Sequence, residues 1–482
     1  MKLSRIGISL AIAAMGVAAF SVSPAPAGGG GYQNPTWWQK GQDVMNATAG
    51  PPCGAASGNF SEPPNVDASN LGGPQSETSI AINPSNPSQI VGGANDIFCL
   101  PMRGYFSTQG GKSGSWNAVS LPLPPPLSSN GQLFGSDPGV AWDTLGNVFY
   151  SYIVVFFNPS FRSITGTEMA VARSSDHGQT WTATYFNQNV GTGKFNDKPM
   201  ITVGPENTVY VAWDNASFRN GKSSNNDVIL LSRSTDHGVT FSTPVQVSPS
   251  QGGQAAVIGA DPFVTSDGKL FVAWTDAINP AIRVAESTDG GLSFGAARLI
   301  ANTSAVFQTL PPAQASRGAL IYPACGADAG GRLYCSWTDV NSAGFTRLFE
   351  SQSDDGANWS ASRTIDDGAA NDQFNQWLAV DPITGAVVLS WNDSRNDATR
   401  KATDVFFAES TNRGASFSSN VRLTTASTDE TVSGADLGNQ YGDYEGIAAF
   451  NGVARPIWTD RRATIAGVQG LDEETFTEAI KE

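Results

Sequence analysis

One eight-residue phrase recurs along this chain, and it restricts the fold more than any other feature. It reads Ser174-Ser175-Asp176-His177-Gly178-Gln179-Thr180-Trp181, then Ser234-Thr235-Asp236-His237-Gly238-Val239-Thr240-Phe241, then Ser287 to Phe294 around Asp289. Gln352 to Trp359 repeats it around Asp354. Ser410 to Phe417 carries Asn412 in the acidic slot, and Ser107 to Trp116 is a stretched copy. Copies at intervals of roughly 53 to 67 residues mean one supersecondary unit stacked many times, at the period of propeller blades. Each copy suits a hairpin turn. The Asp accepts N–H groups of its own turn, the Gly takes a positive φ, and the aromatic residue opens the next strand. Asp176, Asp236, Asp289 and Asp354 are therefore read as structural turn residues.

A second phrase precedes each box: a polar start, a strand, a Gly-containing turn, and a strand ending in Trp and Asp. Asp261 to Asp276 is the clearest copy, with Trp213-Asp214, Trp337-Thr338-Asp339, Trp391-Asn392-Asp393 and Trp458-Thr459-Asp460 closing others. Two looser copies, Glu77 to Asp96 and Asp137 to Tyr152, bring the hairpins to seven against six boxes. The box missing after Trp458 is matched at the other end of the chain. There, Phe60 to Asp67 resembles Phe241 to Ser248, the strand after a box. The N-terminal arm is thus expected to supply the outer strand of the last blade and to remove an exposed edge. The expectation is an all-β, seven-bladed β-propeller over residues 60–482, with six blades as the alternative.

Residues 1–27 read as a secretory signal peptide: Lys2 and Arg5, an apolar run from Ile6 to Phe20, and cleavage near Ala27. A secreted, extracellular or periplasmic protein follows, with residues 28–59 as an arm and no membrane span. Four cysteines in an exported chain suggest disulfides. Cys325 and Cys335 flank the turn Asp328 to Gly331 and should pair; Cys53 with Cys99 follows by elimination. A net charge of −15 argues against nucleic acid as a partner. The two histidines, His177 and His237, both sit in boxes, which disfavours mechanisms that need a His on the opposite face.

If each blade runs outward from the axis, the boxes lie at the turns between third and fourth strands. The starts of the first strands then line the channel mouth on the other face, with long links such as Ala301 to Leu320 and Thr424 to Gly442. Those starts are Glu77, Asp137, Asp197, Asp261, Tyr322, Gln376 and Asp443. A carboxylate-rich rim can hold a cation, Ca²⁺ among them, through Asp137, Asp197 and Asp261, or bind a sugar or amine. Asp before Pro can equally be turn chemistry. The densest polar cluster is Gln440-Tyr441-Gly442-Asp443-Tyr444-Glu445. Alternation along a strand would put Asp443 and Glu445 on one side as acid and base, with Tyr444 facing away. Arg395, Arg461 and Arg462 can clamp a substrate anion or pair with Asp393 and Asp460. Trp377 and Tyr441 offer aromatic contact.

The phrase S-x-D-x-G-x-[ST]-[WF] resembles the Asp-box, or BNR repeat, of the sialidase (neuraminidase) superfamily. The resemblance implies a secreted propeller acting on carbohydrate or glycoconjugate, with three arginines on a substrate carboxylate, a Tyr nucleophile with a Glu partner, and an Asp acid/base. Asp443, Glu445 and Tyr444 are the candidates for such chemistry here. The superfamily's Arg-Ile-Pro motif does not occur; Arg103 is the nearest arginine. Two functions stay open: a glycoside hydrolase working through these carboxylates, or a non-catalytic glycan- or protein-binding propeller. A monomer is expected in either case.

Overall fold

Among the described residues, strand pairing gives seven antiparallel blade sheets and one separate two-stranded ribbon. The computed structural model describes residues 61–62, 64–71, 74–97, 101–127, 132–158, 164–219, 222–223, 227–250, 256–367, 371–462 and 473–482. The signal segment, most of the N-terminal arm, and the expected Cys53–Cys99 pair lie outside the described residues. The first strands of blades 1 to 7 are Gln75–Ile82, Gln132–Trp142, Lys194–Val203, Val257–Val264, Pro323–Ala327, Gln373–Val380 and Gly446–Phe450. Each contacts the first strand of the next blade, and that of blade 7 contacts that of blade 1. That closed cycle makes the ring seven-bladed and excludes six.

The ring closes as the repeated post-box pattern implies. In blade 7 the third strand, Glu474–Thr477, pairs with Asn65–Asp67, which places Val66 opposite Thr477 and Asp67 opposite Phe476. Asn65 is wholly buried there. Its Nδ2 donates to the carbonyl of Leu423 (3.1 Å) and to Glu478 Oε2 (2.8 Å). Its Oδ1 accepts from Thr425 N (2.9 Å), Thr425 Oγ1 (3.1 Å) and Arg462 Nη1 (2.6 Å). One amide thus ties the N-terminal strand to the C-terminal blade and to the link leaving blade 6.

Between blades, the tryptophans of the second strands fill the core. Trp213, Trp274, Trp337, Trp391 and Trp458 are all essentially buried. Trp213, for example, packs with Val209 and Val211 against Phe149, Ile153 and Val171 of blade 2. Cys325 and Cys335 stand opposite each other on adjacent strands of blade 5 and are disulfide-bonded.

The boxes take the expected turn chemistry. Asp176 Oδ1 accepts from Ser174 Oγ (2.7 Å) and Thr180 N (2.8 Å), and Oδ2 from Thr180 Oγ1 (2.6 Å). Asp236 and Asp289 repeat the pattern on Thr240 and Ser293. Asn412 accepts from Ser410 Oγ and Ser416 N in its place. Asp354 is a correction. The box aspartate of blade 5 is Asp355, which accepts from Ala357 N and Asn358 N, both at 2.8 Å. That turn closes one residue sooner, with Gly356 N donating to Ser353 Oγ. Asp354 is left outside, where Arg332 Nε pairs with it at 2.6 Å.

At the channel mouth the first strands do not run straight. In blades 1, 2, 3, 4 and 6 the register slips between Ser76 and Ser79, Ser136 and Gly139, Asp197 and Met200, Ile258 and Asp261, and Phe374 and Trp377. The bulged residue takes the left-handed conformation: Glu77 (φ 55°), Asp137 (63°), Lys198 (53°), Gly259 (68°) and Asn375 (52°). For a residue with a Cβ this costs on the order of 1 kcal/mol or more. Four such residues around one mouth mean the ring geometry over-determines them.

Candidate functional site

The bulges deliver Glu77, Asp137 and Lys198 to one place on the loop face. Lys198 Nζ lies 2.6 Å from Asp443 Oδ2, 3.1 Å from Glu77 Oε1 and 3.5 Å from Asp137 Oδ1, and all four side chains are shut off from solvent. Arg317 joins from the link between blades 4 and 5, with Nε 2.7 Å from Asp443 Oδ1 and Nη2 3.1 Å from Glu77 Oε1. Asn95 of blade 1 donates to Glu77 Oε2 (2.6 Å) and accepts from Asp137 N (2.9 Å). The Tyr444 ring lies 5.5 Å from Lys198 Nζ, and its hydroxyl donates to the Pro138 carbonyl.

Two links close over this cluster. In the first, Gln308–Thr309 pairs with Ala319–Leu320 around the 3₁₀ turn Pro312–Gln314. The second leads into blade 7. Gln440 Oε1 accepts from Ser316 N (3.1 Å) and Arg317 N (3.0 Å), while its Nε2 donates to the Ala313 carbonyl (3.1 Å). Gln314 Nε2 donates to the Gly442 carbonyl. Length marked these links in the sequence; in the structure they seal the mouth.

Burial pushes Glu77 up to about 8, against the pull of Lys198. Burial also works on Asp443 and Asp137, but Arg317 and Lys198 hold Asp443 below the usual carboxylate range, and Lys198 does the same for Asp137. Burial and the neighbouring Asp137 charge push Asp197 well up. Lys198 and Arg317 thus face Asp137 and Asp443, the carboxyls held toward the charged form, while burial holds Glu77 and Asp197 toward the neutral one; pairing of this kind is what a dry site requires.

The expected cation rim of Asp137, Asp197 and Asp261 is corrected on the same ground. The place a metal would take among the carboxylates holds the Lys198 ammonium. Asp261 lies beyond its blade's bulge, turned toward blade 5, where Oδ2 accepts from Cys325 N at 2.6 Å. Gln376 likewise serves its neighbour, donating to the Tyr322 carbonyl (2.9 Å). Among the described residues no group of three or more His, Cys, Asp or Glu side chains is arranged to hold a metal.

The other candidates separate. Residues 441–445 precede the strand Gly446–Phe450, so strand alternation does not govern them. Asp443 goes to Lys198 and Arg317. Glu445 goes instead to Asn392 Nδ2 of blade 6 (2.9 Å) and Thr459 N of blade 7 (3.0 Å), and burial pushes its carboxyl well up. Tyr444 faces the cluster rather than away from it. Arg395 pairs with Asp393 (2.6 Å) and Asp367 (2.7 Å) over the Phe406 ring. Arg462 pairs with Asp460 and Asn65, and Arg461 with Glu473 (3.4 Å). All three arginines are engaged within the protein. Tyr441 is buried with its hydroxyl on the Thr428 carbonyl, and Trp377 is half-buried against Tyr444.

Sequence reasoning missed Lys198, Arg317 and Asn95. A signal existed for Lys198: Asp137-Pro138 and Lys198-Pro199 share a dipeptide frame, and aligning on Pro rather than on Asp finds it. Arg317 sits in a link with no repeated pattern.

No family model matches the chain, and no curated protein matches it in sequence. Among solved structures it is similar to a Hadza microbial sialidase at 13% identity, covering 82% of this chain and 73% of that one, with a TM-score of 0.43. The α-L-arabinanase of Penicillium chrysogenum, solved with arabinobiose, is similar at 12% identity, covering 72% and 93%, with a TM-score of 0.45. The intramolecular trans-sialidase of Ruminococcus gnavus is similar at 13% identity, covering 74% and 96%, with a TM-score of 0.43. The blade count above rests on strand pairing, not on these likenesses. Among the described residues no helix is long and apolar enough to cross a membrane.

Proposed function

We propose that this chain is a secreted, carbohydrate-directed propeller that binds a glycan or glycoconjugate on its loop face and does not turn it over. One observation carries the preference for binding: Lys198 Nζ sits among Glu77, Asp137 and Asp443, and none of these side chains reaches solvent. A general acid or base must come within hydrogen-bond reach of a reacting group, and here each carboxylate is already engaged inside the protein. The carbohydrate class comes from the Asp-box resemblance, whose turn geometry recurs in blade after blade.

A second reading, glycoside hydrolysis, is favoured by one specific contrast. Arg317 and Lys198 hold Asp443 low while burial holds Glu445 high, and a split pair of this kind suits base and acid roles. It requires the two links to open. Screening the mature protein on a glycan array and on a panel of aryl glycosides, sialosides included, separates the readings. Binding without turnover supports the first and turnover the second. Neither one in a broad panel removes the carbohydrate reading and leaves a protein-binding propeller.

A further inference from the structure

Buried ion pairs are seldom net stabilising compared with apolar packing, yet this propeller buries two cations and several carboxylates together at the starts of its first strands. The arrangement is also chemically specific. Asp443 Oδ2 is 2.6 Å from the Lys198 nitrogen, its other oxygen takes the Arg317 guanidinium at 2.7 Å, and Glu77 Oε1 is 3.1 Å from the same nitrogen. Lys198 is held by its bulge, with its own N–H donating to Asp197 Oδ1 (3.0 Å).

We propose that Lys198 and Asp443 condense into an intramolecular amide, Nζ to Cγ, which ties blade 3 covalently to blade 7 across the channel. A proton passes from Nζ to Oδ2 along the hydrogen bond that joins them. The freed amine pair attacks Cγ, and the electron pair displaced onto Oδ1 is held by Arg317. Glu77 hands its proton to the departing Oδ2 and takes one from nitrogen, so its own state is restored. Oδ2 leaves as water. Of the three ammonium protons, one remains on the amide and two leave with that water. No oxidant, reductant or cofactor enters.

Contact and the exclusion of water favour the condensation, and the opening proton transfer is its costly step: against burial, Asp137, Asp443 and Glu77 raise Lys198 well above its ordinary value, and Arg317 and Lys198 hold Asp443 low. Groups fixed in contact react with effective molarities of about 10⁵ M or more. The site excludes the water that would reverse the step. Glu77 Oε1 and the departing Oδ2 lie on the same nitrogen, at 3.1 and 2.6 Å, and burial pushes Glu77 up to about 8, toward the protonated form this step uses. The reaction removes one buried cation and one buried anion together, so the net charge of the cluster does not change. Asp137, 3.5 Å from the nitrogen, is the remaining anion and balances Arg317.

The test is the intact mass of the mature, disulfide-reduced protein, with its N-terminus fixed by peptide mapping. The expected mass is one water below that of the sequence, and a proteolytic digest should contain a branched peptide joining the segments around residues 198 and 443. Lys198→Met and Asp443→Ala should return the full mass. Glu77→Gln should slow the loss of water by about 10²-fold, the scale of a general acid–base contribution. A wild-type protein at full sequence mass after prolonged incubation overturns the proposal. So does a missing water that maps to one unbranched peptide, as an aspartyl succinimide would. If the variants do not fold, the wild-type mass and the branched peptide decide alone.

Discussion

Asn65→Ala is the sharpest test of how this ring closes. The side chain makes five hydrogen bonds from a fully buried position, one of them to a guanidinium. A neutral bond contributes about 1 kcal/mol net and a charged one about 1.5–3, while a buried partner left unpaired costs about 1–3. Three of the five share one oxygen, and Arg462 keeps Asp460 (2.5 Å). The contributions therefore do not simply add, and about 3–5 kcal/mol is expected. An unfolding entropy of about 2.1 cal/mol/K per residue over the roughly 380 described residues gives about 0.8 kcal/mol per degree, so the midpoint should fall by about 4–6 °C. Scanning calorimetry reads the shift. Hydrogen exchange should locate it, with amides of Glu474–Thr477 losing protection while those of blade 4 keep theirs. Asn65→Asp retains the acceptor but faces Glu478 with a like charge, so it should fall between parent and Ala. If Asn65→Ala melts within about 1 °C of the parent, the amide is not the closure point and the reasoning fails.

Removing the chain through Asp67 takes away the whole outer strand of blade 7 and should lower the midpoint by more than Asn65→Ala does; an equal or smaller loss would contradict strand closure. Burial pushes Asp261 and Glu77 up to about 8, whereas in the unfolded chain an Asp ionises near its ordinary 3.8 and a Glu near 4.5. The native state therefore binds more protons across that window. Stability should be full at its acid end and fall as pH rises through about 8, a slope that Asp261→Asn should flatten in urea titrations at several pH values. A parent equally stable at both ends of the window would refute this. Asp355→Ala should lower stability more than Asp354→Ala, because only Asp355 holds its turn together; equal midpoints would return the box to the sequence-aligned residue. On the hydrolase reading, Asp443→Asn and Glu445→Gln should each cut turnover by about 10² or more. On the binding reading both change the melting midpoint and leave glycan affinity as it was.

The blades were legible in the chain itself because strand and turn chemistry is local. Ser174, Asp176, Gly178 and Thr180 form their turn with one another, and Trp213 or Trp274 lies in a second strand wherever the phrase occurs. Even the closing strand could be read, since Asn65–Asp67 is written in the pattern of a strand that follows a box. Asp354 shows the limit of reading by letters: it matched the phrase, but hydrogen-bond geometry chose Asp355 one residue on. The channel cluster lay further out of reach. A one-residue bulge replaces Asp197 with Lys198 at the mouth, and register is a property of paired strands rather than of either strand alone. Glu77, Asp137, Lys198, Arg317 and Asp443 come from five separate parts of the chain, and their charges acquire partners only when the ring has closed and excluded water. Only the tertiary structure could decide that the acidic rim holds an ammonium and a guanidinium of the chain's own, because burial and charge balance belong to the assembled channel and have no signature along the sequence.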